Sequence, residues 1–315
     1  MKKVLITGIV SKEGLSELEK KYDVTYSETP FERSWVLEHL SEYQGVILMG
    51  TPADKEFIEA GKNLEIISVN GVGFDHVDLE AAKQNGITVS NSPQSVRVAT
   101  AELTFALLLA ASKRLYEYDS IVRSGNWIDV SEEKYQGLTL DKTTLGVYGF
   151  GRIGQTVARY ARAFGMKIIY HDHVQLPKEI EEEFDATYVD FDTMIEQSDV
   201  VTIHAPLLDS TRGIFNETTF KKMKSSAYLI NAARGPIVSE EALIHALKNH
   251  EIAGAGLDVF EFEPKVSEEL RSLPNVIMAP HAGTGTIAGR REIAIESSNN
   301  IISYFEGNPV NVVTK

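Results

Sequence analysis

The sequence predicts an α/β protein with two doubly wound parallel sheets, and three observations lead there. Short apolar runs rich in Val and Ile recur along the chain, continuous instead of strictly alternating, as strands covered on both faces require. Segments of helical character separate them, opened by cap residues: Asp78 before Leu79-Glu80-Ala81-Ala82, and Ser239 before Glu240-Glu241-Ala242-Leu243. The runs also fall into two series, parted by one long helical pattern over 98–123 that contains Leu103, Phe105, Leu107, Leu108 and Leu109.

Strands are expected at 4–7, 24–26, 46–49, 66–69 and 87–89 in the first series. The second series places them at 145–148, 168–170, 200–204, 228–231, 256–259 and 276–278. Alternation of strand and helix is the signature of α/β architecture. A chain of 315 residues is comfortable for two such domains. The helical pattern 98–123 reads as the connector that leaves the first domain and opens the second. A last helical segment, 286–305, follows the final strand and is expected to return to the first domain. The expected domains are therefore 1–97 plus 286–315, a discontinuous unit, and 98–285.

Hydrophobic residues make up 43% and charged residues 24%, ordinary globular values that argue against disorder. The net charge of -14 disfavours nucleic acid or an anionic membrane as partner, so an anionic small molecule needs a local positive feature to bind. With no cysteine, the chain has no disulfide, no Cys-zinc site and no thiol nucleophile, and no metal site is expected. The apolar run of the N-terminus breaks too soon for a signal peptide, and the stretch 103–111 is far short of the ~20 residues that span a bilayer. A cytoplasmic protein is expected.

The run 145–148 leads into Gly149-Phe150-Gly151-Arg152-Ile153-Gly154, a G-x-G-x-x-G turn followed by a helical pattern with Val157, Ala158 and Ala161. The first glycine permits the tight turn, the second lets backbone approach a pyrophosphate, and the third lets the helix lie against the strand. The helix N-terminus then offers free N–H groups to the diphosphate. Alone the pattern is weak. The next strand strengthens it, because it ends at Asp172, eighteen residues beyond Gly154, where an acid accepts the adenosine ribose hydroxyls. That carboxylate also repels the extra phosphate of NADP, so NAD is the expected cofactor, with His171 and His173 able to soften the preference.

Three strand ends of the second series carry chemistry. Arg234 closes Tyr228-Leu229-Ile230-Asn231-Ala232-Ala233, Glu263 follows Leu257-Asp258-Val259-Phe260-Glu261-Phe262, and His281 follows Val276-Ile277-Met278-Ala279-Pro280. Each alone reads as an ordinary surface or structural residue. Together, beyond strand carboxyl ends where open α/β sheets bind ligands, they suit reduction of a 2-oxo acid. An Arg fork holds the carboxylate and polarises the carbonyl, while a His backed by a carboxylate delivers the proton.

At these residues the chain resembles the D-isomer-specific 2-hydroxyacid dehydrogenase family, and the likeness runs nearly its whole length. Asn70-Gly71-Val72-Gly73-Phe74-Asp75 is similar to the family's substrate-carboxylate loop, which implies that N–H groups near Val72 and Gly73 hold the acid. Ala101-Glu102-Leu103 fits its interdomain helix, and 149–154 its cofactor loop. His204-Ala205-Pro206-Leu207 with Thr211-Arg212-Gly213, Asn231-Ala232-Ala233-Arg234-Gly235, Leu257-Asp258-Val259 and Pro280-His281 complete the pattern. The resemblance implies cofactor contacts from Gly149, Gly151, Arg152, Ile153, Gly154, Asp172, His204, Pro206, Thr211, Ala232 and Asp258, the last on the nicotinamide amide. It makes Arg234 the substrate clamp, His281 the proton donor and Glu263 its orienter. It further implies a flavodoxin-like substrate domain, a Rossmann NAD domain, D-stereochemistry and a homodimer.

Two stretches depart from the family pattern: Ala282-Gly283-Thr284-Gly285-Thr286, where the alcohols are shifted, and Ser95-Val96-Arg97-Val98-Ala99-Thr100. The expected substrate is a small 2-oxo acid such as glyoxylate or hydroxypyruvate. Glu263 stands against the formate-oxidising members, which carry Gln there. Two alternatives stay open: a phosphoglycerate dehydrogenase of the same family, whose members usually carry a phosphate-binding Arg where Met49 or Gly50 stands here, a charge that Arg97 or a partner subunit could supply, and a non-catalytic NAD(H)-sensing protein like the corepressors that share the fold.

Overall fold

The computed structural model describes residues 1–314 and divides into two compact units, Met1–Arg97 with Thr284–Lys315, and Val98–Gly283. In the first unit five parallel strands, β1 (Lys3–Ile6), β2 (Asp23–Thr25), β3 (Gly45–Leu48), β4 (Ile66–Val69) and β5 (Thr88–Ser90), lie in the order β2-β1-β3-β4-β5. This is the flavodoxin-like winding. Consecutive residues of a strand face opposite sides, and both sides are covered. Leu5, Val46, Leu48 and Ile67 pack with Val36, Phe57 and Ala82, whereas Val4, Ile6, Ile47 and Ile66 pack with Ala294, Ile301 and Ile302. The second set includes the C-terminal helix Ile287–Phe305, capped by Thr286, whose hydroxyl accepts the Gly289 N–H at 2.9 Å.

The second unit holds seven parallel strands: β6 (Thr144–Tyr148), β7 (Lys167–His171), β8 (Ala186–Tyr188), β9 (Val200–Ile203), β10 (Tyr228–Asn231), β11 (Gly254–Leu257) and β12 (Val276–Met278). Their order, β12-β11-β10-β9-β6-β7-β8, runs outward both ways from β6 and β9. That pair is the topological switch point of a Rossmann sheet, where ligands bind beyond the strand carboxyl ends. Among the described residues no helix is long and apolar enough to cross a membrane.

Three local expectations are corrected. The pattern 98–123 is two helices, Arg97–Ser112 and Leu115–Arg123, broken at Arg114, which adopts φ 56°. The Ser112 carbonyl that a continuing helix needs is taken by the Leu138 N–H at 2.8 Å. Strand β8 was not foreseen: three residues with Thr187 exposed give no periodic signal. Strand β11 begins at Gly254, two residues before the expected run, because its Gly-Ala-Gly start has little strand propensity of its own.

Candidate active site

The turn after β6 assigns each glycine a different constraint. Gly149 has φ 91°, and a Cβ there would lie 2.5 Å from the Ala205 nitrogen in the chain leaving β9. A Cβ on Gly154 would lie 2.4 Å from the Gly149 carbonyl oxygen, so helix Arg152–Ala163 can approach β6 only with hydrogen at this position. Gly151, the N-cap of that helix, is different. A Cβ on it meets nothing within 4 Å, and no side chain caps the helix start. The loop thus presents bare backbone and uncapped helical N–H groups at the sheet's switch point, the chemistry a diphosphate needs.

Asp172 follows β7 beside this loop. One carboxylate oxygen accepts the Phe150 N–H at 2.8 Å and the other accepts the His173 N–H at 2.8 Å, with His173 Nδ1 at 2.6 Å. The acid is thereby fixed against the glycine turn. Arg152 and Ile153 form the first turn of the helix. These residues fit the adenosine and diphosphate half of a dinucleotide.

The chain leaving β9 carries His204, Pro206 and Thr211. His204 Nε2 pairs with the Thr202 hydroxyl at 2.9 Å, and burial pushes its pKa down to about 3, so its ring is neutral. The Thr211 hydroxyl donates to the Pro206 carbonyl at 2.7 Å and accepts the Leu208 N–H at 2.8 Å, closing the loop. Ala232 is buried at the end of β10.

Strands β10, β11 and β12 are neighbours in parallel register, so the segments that follow them emerge side by side. Arg234 follows β10, half-buried, with Nη1 donating to the Ala233 carbonyl at 2.8 Å. Its backbone is set by Asn231, which accepts the Ala233 N–H at 3.1 Å and donates to the Arg234 carbonyl at 3.0 Å. Glu263 follows β11. Its Oε1 accepts the Phe260 N–H at 2.9 Å and its Oε2 pairs with His281 Nδ1 at 2.9 Å. His281 follows β12 with half of its side chain exposed.

The charges of this pair reinforce each other. Burial opposes ionisation of Glu263, but the hydrogen bonds from His281 and Phe260 and the nearby Arg234 cation outweigh it and hold its pKa below the ordinary value. The Glu263 hydrogen bond raises the His281 pKa above its usual value, against burial and the neighbouring Arg234. An imidazolium bonded to carboxylate through Nδ1 leaves Nε2 as the proton-donating end. The structure brings Glu263, His281 and Arg234 within electrostatic reach of one another.

Asp258 is almost wholly buried, and its Oδ1 accepts the Ala282 N–H at 2.6 Å. Burial raises its pKa, against the pull of that N–H. In the other unit, Val72 and Gly73 lie in the loop after β4. The Asn91 amide donates to the Val72 carbonyl at 2.7 Å, and among the described residues neither Val72 nor Gly73 spends its N–H on an acceptor. Arg97 is exposed at the start of its helix.

The sequence reading assigned no role to Asn231, although an Asn that ends an apolar strand is a recognisable turn-former. It also passed over Glu240 and Glu261. Nothing in the pattern separates Glu240, buried in the structure, from Glu241 beside it, which is exposed.

Residues 105–283 match the sequence model of the D-isomer specific 2-hydroxyacid dehydrogenase NAD binding domain. The chain belongs to that family. It is 43% identical to a glyoxylate reductase of Thermococcus litoralis over 99% of this chain and 97% of the relative. A crystal structure of a glyoxylate reductase from Paecilomyes thermophila superposes with a TM-score of 0.90 at 34% identity, covering 99% of this chain and 98% of the other. An NADPH-dependent glyoxylate/hydroxypyruvate reductase of Sinorhizobium meliloti, solved with NADP and malonate, gives 0.87 at 31%, covering 99% and 96%. As a member of this dehydrogenase family the chain is an NAD-dependent oxidoreductase, and its second unit carries the NAD-binding domain.

Proposed function

We propose that this dehydrogenase reduces a small 2-oxo acid, of the glyoxylate or hydroxypyruvate kind, to its D-2-hydroxy acid. The observation that carries the reading is the Glu263–His281 pair at 2.9 Å with Arg234 beside it on the neighbouring strand end. Bound NADH supplies the hydride to the carbonyl carbon. The Arg234 fork holds the carboxylate and polarises the carbonyl oxygen, and Nε2 of the His281 imidazolium gives that oxygen its proton as the C=O bond is reduced. Glu263 accepts the hydrogen bond of the Nδ1–H, which stays on the imidazole, and so orients the ring and stabilises its charge. In the first unit, the backbone N–H groups of Val72 and Gly73 are the donors proposed for a carboxylate.

The glycine turn 149–154 binds the diphosphate and Asp172 the adenosine ribose, while His204, Pro206, Thr211, Ala232 and Asp258 serve the nicotinamide end. The Asp172 carboxylate favours NAD over NADP by charge, in contrast to the NADPH-dependent S. meliloti relative. The names of the T. litoralis and P. thermophila relatives point to glyoxylate. The enzyme works in the cytoplasm, where a diffusible nicotinamide pool is at hand. It forms a homodimer, supported by exposed Leu115, Tyr116, Val122, Trp127 and Val130 in and after helix Leu115–Arg123.

NADH oxidation against a panel of 2-oxo acids, with NADPH in parallel, tests the reading. Turnover of glyoxylate or hydroxypyruvate with NADH is expected. Silence across the panel while NADH still binds would overturn it.

A further inference from the structure

The Glu263 carboxylate meets His281 from a segment without regular structure. Between β11 and the short helix Glu268–Arg271 the chain runs through ten residues, 258–267, and Glu263 lies in their middle. Two carboxylates tie this loop to the neighbouring helix start. The Glu261 side chain accepts the N–H of Glu240, the first residue of helix Glu240–Lys248, at 2.7 Å. Glu240 Oε1 in turn accepts the N–H of Ser267, at the far end of the loop, at 3.4 Å.

The burial of Glu240 singles it out. It is 6% exposed, and its second oxygen, Oε2, is buried without a hydrogen-bond partner. Glu241, one position on, is exposed in the same first turn. An acid needed only to complement the helix dipole costs least at the surface. One driven inside and left half unsatisfied is held there by a geometric demand. A third grip comes from the Arg234 side. A Cβ on Gly235 would lie 1.8 Å from the Phe260 carbonyl oxygen, so the turn after Arg234 is pressed directly onto the base of the loop. The Glu261 bond lies two residues before Glu263 and the Gly235 contact three before it. Movement of this loop therefore changes the distance from Glu263 to His281.

We infer that Glu240 and Glu261 are positioning residues that clamp the loop 260–267 and so hold Glu263 on His281. The inference rests on the proposed role of His281 as proton donor, and extends the catalytic apparatus to two carboxylates that touch neither substrate nor cofactor. Their effect is on the imidazole: a loosened loop lets Glu263 drift from Nδ1, and His281 loses the interaction that keeps it protonated.

The test compares Glu240→Ala, Glu240→Gln and Glu261→Ala in the full chain. It reads the His281 titration by NMR, the pH profile of kcat, KM for glyoxylate and the Kd of NADH. Loss of either carboxylate should bring the His281 pKa down toward about 6.5 and move the alkaline limb of kcat with it. At neutral pH kcat should fall roughly tenfold to a hundredfold, with KM and NADH affinity within about twofold. Glu240→Gln keeps an acceptor for the Ser267 N–H and should restore most of the titration.

A general loss of packing would lower Tm without shifting the His281 titration, and that result overturns the inference. So does a wild-type titration in a folded Glu240→Ala. If that variant does not fold, Glu261→Ala decides in the same way, since Glu261 is only partly buried and its loss leaves no cavity in the core. The NMR titration needs no turnover. It therefore separates failure of the clamp from failure of the catalytic reading, which would show as turnover persisting in His281→Ala.

Discussion

His281 stands on a left-handed backbone, φ 54°, and Asp258 holds it there: the Asp258 carbonyl accepts the His281 N–H at 2.8 Å, and its Oδ1 accepts the N–H of Ala282 at 2.6 Å. Such a conformation costs a non-glycine residue about 1–3 kcal/mol and persists where surrounding bonds over-determine it. Asp258 thus sets the backbone of His281 while Glu263 sets its ring.

From this follows the first prediction. Asp258→Ala takes the acceptor from the half-buried Ala282 N–H, at about 1 kcal/mol or more, and leaves the His281 backbone held only by the residue 258 carbonyl. Thermal denaturation should show a Tm several degrees lower, and kcat should fall in the same variant. Asp258→Asn retains an acceptor oxygen and, because burial already disfavours the charge, should recover most of the lost Tm. Equal Tm for the Ala variant and the wild type would show that the bond to Ala282 contributes nothing.

Removal of the proposed reacting groups should separate chemistry from cofactor binding. His281→Ala and Arg234→Ala are each expected to lower kcat/KM for a 2-oxo acid by at least ~10²-fold. The glycine turn and Asp172 follow β6 and β7, away from the segments that carry Arg234 and His281 after β10 and β12, so NADH affinity, followed by fluorescence titration, should change little. The two variants should differ in kind: Arg234→Ala raises KM as well, because the carboxylate loses its clamp.

The Glu263–His281 pair also fixes a pH dependence. In the proposed mechanism reduction requires protonated His281, whose folded pKa is raised. The rate should therefore be level in mild acid and fall as pH climbs through that elevated pKa, with oxidation of the hydroxy acid showing the reverse. Glu263→Gln removes the carboxylate that raises the pKa, so the limb should move to lower pH. Stability follows the same groups. The His281 contribution is complete below its unfolded value of about 6.5 and is lost as pH rises through the folded value; that of Glu263, whose folded pKa is lowered, is present above about 4.3 and is lost on further acidification.

How much of this was legible in the sequence follows from where the information lies. The buried strands announce themselves because both faces are apolar, and the glycine turn because three constraints fall on a fixed spacing. Arg234 and His281 are legible as residues of suitable chemistry just beyond strand ends, whereas Glu263, read as a third such residue, lies six residues past β11 in the loop 258–267. The break at Arg114 was not legible, since it depends on Leu138 claiming the Ser112 carbonyl from 26 residues away. Nor was the burial of Glu240, because two adjacent acids after Ser239 look alike until the helix is docked.

Asp172 gives a prediction about the cofactor. Its carboxylate anchors the turn through the Phe150 N–H, and in the proposed reading it accepts the adenosine ribose hydroxyls. Asp172→Ala should weaken NADH several-fold and narrow the preference for NADH over NADPH, measured as the ratio of kcat/KM values. Asp172→Asn keeps an acceptor for Phe150 but loses the charge, so it should keep the turn and still narrow the preference. If the Asn variant discriminates as the wild type does, charge at this position is not the cause.

The two glycines of the turn should fail in different ways when each receives a methyl group. At Gly154 the new Cβ would sit 2.4 Å from the Gly149 carbonyl oxygen, a backbone atom that cannot move without displacing helix Arg152–Ala163 from β6. Gly154→Ala is therefore expected to lower Tm and NADH affinity together. At Gly151 the backbone has φ -76°, open to any residue, and a Cβ meets no protein atom within 4 Å. Gly151→Ala should therefore fold with a Tm close to that of the wild type. Its methyl group would nonetheless stand where the diphosphate must approach the helix N-terminus, so NADH affinity should drop at least tenfold. Calorimetry and NADH titration on the two variants give the comparison directly. An unaltered NADH Kd in Gly151→Ala would mean that the diphosphate does not lie against this face of the turn.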